Sequence, residues 1–333
     1  MPNPAQSDLH VNVPLTNISI AYAQSADLFI ATKVFPKVPV QKQSDLFWKY
    51  SKSDFRRTDV ERRAPSTESP GTGWNVTTDT YFTHVYAVHK DIDDQVRSNA
   101  DSVFSLDKEA TNFVTQQLLL KRDLDWAARY FQPGVWGTNL TGVSGTPAAN
   151  QFKQFNDAAS DPIGLFADLQ TNFMQQNAGL RANTLVLGAH VINALKNHPD
   201  ILDRIKYTQK GIVTTDLIAA LLDVERILVS YATYTSTERG LDAVSQDAAA
   251  TYSFIANSKS ALLVHTPSSP GLMTPAAGYT FTWSGYLGGN AQGTRIKRFR
   301  MEHIASDRIE GEATYDMKVV GSDLGLFMQQ AVA

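Results

Sequence analysis

The chain has 333 residues, 43% of them hydrophobic and 19% charged, which predicts a globular protein with a core of its own. The formal charge of −3 excludes a uniformly cationic surface for nucleic acid or anionic lipid, and the lack of cysteine excludes disulfides, thiolate metal sites and cysteine nucleophiles. The sequence shows neither a signal-peptide pattern nor an apolar run of about 18 residues, so we expect no membrane partner.

Residues 1–45 are predicted to form an extended N-terminal arm. Short apolar groups are separated by Pro14, Pro36 and Pro39, and each proline removes a backbone donor and restricts the residue before it. A short helix from Ser25 to Ala31 is the one regular element that we expect in this arm.

A long hairpin is predicted over residues 46–92. The segments DLFWKYSK and WNVTTDTYFTHVYAVHKDI carry the aromatic and β-branched residues typical of strands. Between them lies the charged stretch DFRRTDVERRAPSTESPGTGW, which is far longer than the 2 to 5 residues, roughly, of a compact hairpin loop. From the residues alone, such a charge run is most simply a solvated surface.

A long helix is predicted from Ser105 to Phe131, because apolar residues recur there at steps of three and four. Ser105 is expected to cap it and the Pro133-Gly134 pair to end it. At about 1.5 Å per residue the helix should be roughly 40 Å long. The positions expected on its buried face are Leu106, Ala110, Phe113, Leu120, Leu124, Ala127 and Phe131.

The rest of the chain predicts a loop, a compact mixed unit and a set of strands. The loop covers 133–150, and the compact unit should contain helices at 162–177, 191–207 and 214–222 with the strands NTLVLGA and RILVSYATY. The remaining segments are rich in strand-forming residues. These elements predict that the compact unit is α/β or α+β.

None of the apparent chemical motifs predicts a catalytic, cofactor-binding or metal site. His84 and His89 lie at odd separation, so they would point to opposite faces of a strand. The stretch DIDDQVRSNAD lacks the central glycine and closing glutamate of a calcium loop, and GYLGGNAQG lacks the Lys-Ser/Thr of a phosphate loop. A serine triad could be drawn from scattered residues, but no GxSxG, HExxH or Rossmann pattern occurs.

The segment TRIKRFRMEH is a basic strand. Alternation places Arg295 and Lys297 on one face and Arg298 and Arg300 on the other. A nucleic-acid footprint would need the cations on one face, so these residues are favoured as subunit contacts or solvated charges. Contact with nucleic acid stays open as an alternative.

The order of these elements resembles the major capsid proteins of tailed bacteriophages, of the Hong Kong 97 type. The similarity rests on ADLFIATKVFPKVPV leading into FWKYSK, on the long helix, and on the closing IASDRIEGEATYDMKVV, and it covers nearly the whole chain. It implies an α+β capsid fold divided into an N-terminal arm (1–45), an extended E-loop hairpin (46–92), a P-domain spine helix with its following loop (93–155), mainly the A-domain (156–285), and strands returning to the P-domain (286–333).

The resemblance implies a non-enzymatic protein, without cofactor, that assembles with itself into hexamers and pentamers of an icosahedral shell around double-stranded DNA. Portal, scaffolding and decoration proteins are the further partners expected, in a virion capsid assembled in the host cytoplasm. The charged hairpin would then lie across a neighbouring subunit. The residues expected at contacts between subunits are Arg56, Arg57, Arg62, Arg63, Trp74, Arg295, Lys297, Arg298 and Arg300.

Two alternatives to a phage capsid remain at this stage. An encapsulin-like compartment would have the same fold but enclose a cargo enzyme. A cytosolic α/β hydrolase would instead be a small oligomer with measurable turnover.

Overall fold

A computed structural model describes residues 24–100, 105–205, 213–236, 250–271, 273–287 and 293–333. The helices are α1 (Ala31–Val34), α2 (Asp94–Asn99), α3 (Leu106–Tyr130), α4 (Pro162–Gln176), α5 (Ala189–Lys196), α6 (Pro199–Ile205) and α7 (Thr215–Leu221). The strands are β1 (Lys37–Val40), β2 (Ser44–Tyr50), β3 (Val76–Phe82), β4 (His84–Asp93), β5 (Thr138–Val143), β6 (Gln151–Lys153), β7 (Thr184–Gly188), β8 (Arg226–Ser230), β9 (Thr233–Thr235), β10 (Tyr252–Phe254), β11 (Ala261–Val264), β12 (Gly278–Trp283), β13 (Thr294–Met301), β14 (Ser306–Val319) and β15 (Gly325–Gln329).

A five-stranded sheet is built around β14. Strand β4 pairs antiparallel along one side of β14, while β13 and then β12 pair along its other side, and β1 is parallel to β12. Helix α3 lies across this sheet. A Cβ added to Gly311 of β14 would come within 2.3 Å of Val114 Cγ1, so a glycine here lets the helix approach the strand closely.

The long helix has the predicted bounds, but part of its predicted buried face is wrong. Ala110, Ala127 and Phe131 are buried as expected, whereas Phe113 is 47% exposed. The core positions instead follow a four-residue step, and the charged side chains of Arg122 and Asp123 lie among them. The additional buried residues are Val114, Leu118, Arg122, Asp123 and Trp126. Ser105 stands at the N-cap position without a capping hydrogen bond from its side chain.

A six-stranded sheet forms the centre of the compact unit, in the order β6-β5-β15-β11-β7-β8. The residues of β7 and β11 are all buried, which explains their continuous apolar runs. Strand β15 lies in the middle of this sheet, so the segment 286–333 contributes to both sheets. The mixture of segregated sheets and helices confirms the predicted α+β class.

The segment just before β1 packs into the core, whereas the sequence predicted an extended arm there. A 3₁₀ turn at Ala26–Leu28 and helix α1 replace the single short helix. Ile30, Val34 and Phe35 belong to the main core. The Phe35 ring meets the Trp126 ring of α3 edge to face, 6.2 Å between centroids. Residues 1–23 of the predicted arm lie outside the described part of the chain.

Three predicted elements are divided differently in the structure. The helix expected over 191–207 is two helices, α5 and α6, because Pro199 cannot continue the helical hydrogen bonds. The strand RILVSYATY is split into β8 and β9, and the loop 133–150 contains β5. Among the helices of the described residues, none combines the length and hydrophobicity that crossing a membrane requires.

Candidate assembly surfaces

The predicted hairpin is formed by β2 and β3, with Ser44 opposite Phe82 and Tyr50 opposite Val76. Its inner face rests on the five-stranded sheet. Tyr81 stacks on Phe281 of β12 with 4.6 Å between ring centroids, and Phe47 lies 5.3 Å from the same ring. The base of the hairpin is therefore fixed in direction by aromatic packing.

The outer face of the hairpin carries apolar side chains that the described residues leave exposed. Leu46, Trp48 and Tyr50 alternate with the inward residues, and they are 55%, 65% and 38% exposed. Phe82, on the same face of the neighbouring strand, is 49% exposed. Contiguous exposed apolar side chains mark a surface that another molecule covers.

Aromatic side chains extend this outer face into the long loop between β2 and β3. Phe55 meets the Tyr50 ring edge to face at 6.1 Å and stacks on Trp74 at 6.5 Å. Trp74 is 65% exposed and therefore accessible, and its contact with another subunit stays a prediction. We refer to Leu46, Trp48, Tyr50, Phe55, Trp74 and Phe82 together as the outer apolar face.

The four arginines of the loop have different surroundings. Arg57 pairs with Asp59 at 3.3 Å, and Arg63 donates to the carbonyl of Thr67. Arg56 donates to two carbonyls at the end of α4, that of Gln176 at 2.7 Å and that of Gln175. Arg62 is exposed and has no hydrogen-bond partner among the residues described.

The loop is also held to the body of its own subunit, which the sequence did not predict. Besides the Arg56 bonds, the Lys52 ammonium pairs with the carboxylate of Asp323. A cation at the C-terminal end of a helix is favoured by the helix dipole. These contacts are exposed, so they orient the loop without forming part of the core.

The basic strand β13 shows the predicted alternation, and its first two cations share one carboxylate. Arg295 and Lys297 lie 2.6 and 2.7 Å from the Glu312 carboxylate, which is largely buried. Burial raises the pKa of Glu312, but the hydrogen bonds from Lys297 and Arg295 outweigh it and leave the pKa below its ordinary value.

The other two cations of β13 join a cluster of ion pairs near α2. Arg298 lies 2.8 Å from Asp307, and Arg300 lies 2.5 Å from Asp94. Arg97 connects the same cluster to Asp107 at 2.9 Å. All four predicted basic residues are thus paired within the subunit, and their contact with another subunit stays a prediction.

The acidic stretch once compared with a calcium loop serves the local structure. Asp91 pairs with Arg308 at 2.7 Å, and Asp93 caps α2 by accepting the Gln95 N–H. Asp101 and residues 288–292 of the glycine-rich stretch lie outside the described residues. In the described part of the chain, no group of three metal-binding side chains comes together.

A Ser–His–Asp constellation does occur, but its hydrogen bonds are those of a structural site. His198 Nε2 lies 2.9 Å from Ser160 Oγ, and its Nδ1 lies 3.8 Å from the Asp200 carboxylate. The Asp200 backbone N–H donates to Nδ1, so the ring proton is on Nε2. A histidine that donates to the serine cannot take its proton, whereas a triad requires that transfer.

The chain is similar in sequence to phage capsid proteins. The major capsid protein of Burkholderia phage BcepMu is 30% identical over 225 residues, which are 67% of this chain and 70% of that protein. That of Pseudomonas phage JBD67 is 28% identical over 228 residues, 67% of this chain and 69% of that protein. No protein-family model matches the chain.

The chain belongs to the major capsid proteins of bacteriophages.

Solved structures show that this major capsid protein has the Hong Kong 97-type fold. A phage-related protein of Bordetella bronchiseptica RB50 superposes with a TM-score of 0.67 at 19% identity, covering 92% of this chain and 93% of that one. The capsid of cyanophage P-SCSP1u gives 0.59 at 11% identity, with 97% and 93% covered. The mature capsid of bacteriophage PhiM1 gives 0.56 at 11%, with 97% and 92% covered. The fold expected from the resemblance is confirmed.

Sequence reasoning found the hairpin of this capsid protein but missed most of its outer apolar face. Trp74 was predicted, whereas Leu46, Trp48 and Tyr50 were not. The signal was present in DLFWKY, where apolar residues fall on both faces of one strand. A strand that is apolar on both faces, yet lies outside the core, needs a second surface to cover it.

Proposed function

We propose that this chain forms the wall of an icosahedral phage head by assembling with itself into hexamers and pentamers that enclose double-stranded DNA. Membership in the capsid family supports a self-associating structural protein. The observation that carries the proposal is the outer apolar face, whose side chains the described residues of their own subunit leave exposed.

The hairpin would act by lying across the next subunit around a ring. Such a contact uses different surfaces on the two partners, so repetition closes into a capsomer when the rotation fits. Burial of the outer apolar face would supply association energy, with about 25 cal/mol for each Å² of apolar surface removed from water. The loop arginines would set orientation more than affinity.

One chain can occupy both hexamers and pentamers if the two sheets stay rigid and the hairpin changes its angle. The structure supports this division, because the inner face of the hairpin is attached mainly through Phe47 and Tyr81. The exposed Lys52 and Arg56 contacts can adjust at small cost.

The further partners of the proposal are portal, scaffolding and decoration proteins, with assembly in the host cytoplasm and a final place in the virion capsid. Packaged DNA would touch the inner wall. The cations of β13 are already paired with carboxylates, and the chain carries a net charge of −3. This charge balance favours weak contact with DNA, which suits a wall rather than a DNA-binding module.

Negative-stain microscopy of the purified chain tests this proposal. We expect hollow isometric particles or ring-shaped capsomers, because the outer apolar face has to be covered. A protein that stays monomeric at every concentration and salt would refute self-assembly. Particles from infected cells that hold an enzyme in place of DNA would show a cargo compartment instead.

A further inference from the structure

Arg122 is a buried cation whose guanidinium has no hydrogen-bond acceptor among the described residues. It lies on the buried face of α3 and is 7% exposed, yet its guanidinium makes no hydrogen bond or salt bridge with any described residue. Buried polar groups are nearly always hydrogen-bonded, and an unpaired buried charge is costly. An acceptor that is not among the described residues would account for this side chain.

The nearby carboxylates are already committed to other groups. Asp123 accepts the backbone N–H groups of Ile30 and Ala31 at 2.7 and 3.0 Å, one on each oxygen. Asp125 binds the Lys121 ammonium at 2.7 Å and the Tyr315 hydroxyl at 2.8 Å. The subunit thus supplies no free carboxylate from these neighbours to Arg122.

Two further groups near Arg122 are a cation and a hydrogen-bond donor. Burial and the Arg122 charge lower the pKa of Lys37 to about 8, so a second cation lies within electrostatic range. One helical turn further along α3, the indole N–H of Trp126 is buried without an acceptor. The Asp123 charge acts in favour of the Arg122 cation, but both oxygens of that carboxylate already accept backbone N–H groups, so the guanidinium still has room for an anion.

The accessible part of Arg122 is suited to a carboxylate. Nε is its one nitrogen that is both fully buried and unsatisfied. The two terminal nitrogens therefore remain in contact with solvent, and their fork matches the two oxygens of a carboxylate. A phosphate on a DNA duplex sits on a wide convex surface and would not reach a side chain so nearly covered.

We propose that Arg122 anchors a carboxylate site that an Asp or Glu side chain of a second copy of this chain fills when the shell assembles. The inference rests on the proposed self-assembly. It adds a specific contact, on the spine helix, to the contact made by the hairpin.

The test is Arg122→Met, with Arg129→Met as the matched control. Arg129 lies on the same helix and is exposed. Replacing a buried unpaired charge by an apolar side chain of similar size removes its desolvation cost. We expect unassembled Arg122→Met subunits to melt at the same temperature as wild type or a few degrees higher. Their particle yield on a sucrose gradient should fall at least tenfold, while Arg129→Met assembles normally.

A purely structural role of Arg122 would not lower assembly while leaving stability unchanged or higher. Subunits of Arg122→Met that melt well below wild type, or fail to fold, would overturn the inference. Wild-type yield from Arg122→Met would overturn it too, while leaving the proposed function intact. Wild-type chain that forms no particles would instead refute the proposed function.

A second measurement separates a protein carboxylate from a free anion. Acetate and inorganic phosphate are titrated into unassembled wild-type and Arg122→Met subunits, and the melting temperature is followed. A rise confined to wild type, together with failed assembly of the variant, supports a site for carboxylates. The same rise with normal assembly of the variant would show a site for a free anion and overturn the inference.

Discussion

At the scale of single residues, Asp123 fastens the start of the fold to the spine helix. Its carboxylate is 2% exposed and caps α1 through Ile30 and Ala31. Burial raises the pKa of Asp123 to about 6, even though these two N–H groups and Arg122 act in the opposite direction. The raised pKa means that the folded subunit binds a proton here more readily than the unfolded chain does.

This property gives a pH dependence of defined sign. The folded pKa of about 6 lies above the ordinary aspartate value of 3.8, so the stabilising effect of protonation is complete below pH 3.8 and is lost as pH rises through 6. Between pH 4 and pH 7, the free energy of unfolding of wild type minus that of Asp123→Asn should fall by up to about 3 kcal/mol.

Urea unfolding of unassembled subunits at a series of pH values measures this difference. Subtracting the variant removes the opposite contribution of carboxyls such as Asp91, whose pKa is lowered by its hydrogen bond to Arg308. If this difference in unfolding free energy stays constant with pH, or rises with it, burial does not raise the pKa of Asp123.

Sequence reasoning could not identify Asp123 or Arg122. In the run LLLKRDLDWAA the two charges look like ordinary surface residues between leucines, and a three-and-four periodicity admits several faces. Asp123 is buried because its carboxylate accepts the backbone N–H groups of Ile30 and Ala31. These hydrogen bonds form only when two segments about ninety residues apart in the sequence pack together.

At the scale of elements, the orientation of α3 decides which substitutions the subunit tolerates. Leu118 is 7% exposed and close to Gly311, whereas Phe113 is 47% exposed. Leu118→Asp would bury a charge with no partner, at a cost of several kcal/mol, and we expect misfolding. Phe113→Asp on the same helix should leave the unassembled subunit within about 0.5 kcal/mol of wild type.

Circular dichroism and urea unfolding compare these two variants. Equal stability of the two would mean that the helix is turned differently on the sheet. Leu120, which the periodicity placed on the buried face, is half-buried, so an aspartate there should have an intermediate effect.

Elements with strong local signals were predictable, and those set by distant pairing were not. The run TLVLG and the helix that Asp161 caps at Pro162 were found because local residues determine them. Strand β5 was missed because its glycine- and threonine-rich residues resemble a loop, and they become a strand only by pairing with β15.

At the scale of the whole molecule, two sheets carry a hairpin that has more apolar surface than the described residues of its own subunit cover. The sequence indicated this architecture through element order and resemblance, since the charged loop offered little to a core. It could not show that the loop is held by Lys52 and Arg56, because the carbonyls at the end of α4 and Asp323 come near it only in the folded chain.

The outer apolar face and the loop arginines should make separable contributions to assembly. The double variant Leu46→Glu, Trp48→Glu should fold, because both side chains lie outside the core, but its particle yield should collapse at any salt concentration. Changing Arg56, Arg57, Arg62 and Arg63 to Glu should also leave the fold intact, since the bonds of these arginines are exposed. Each pair at the rim is worth only about 0.2 to 1 kcal/mol, but the contact recurs in every subunit of a closed shell.

Salt distinguishes the two kinds of contact. The repulsion introduced by four glutamates is screened at 1 M salt, where the Debye length is about 3 Å, so the yield of the arginine variant should partly recover. The apolar variant should not recover, because its defect is the placement of charge where apolar surface must be buried. Circular dichroism beside sucrose-gradient yield, at low and high salt, measures both. If the arginine variant forms normal particles at low salt, the loop charges are only a solvated surface. Normal particles from the apolar variant would mean that the hairpin does not lie across its neighbour.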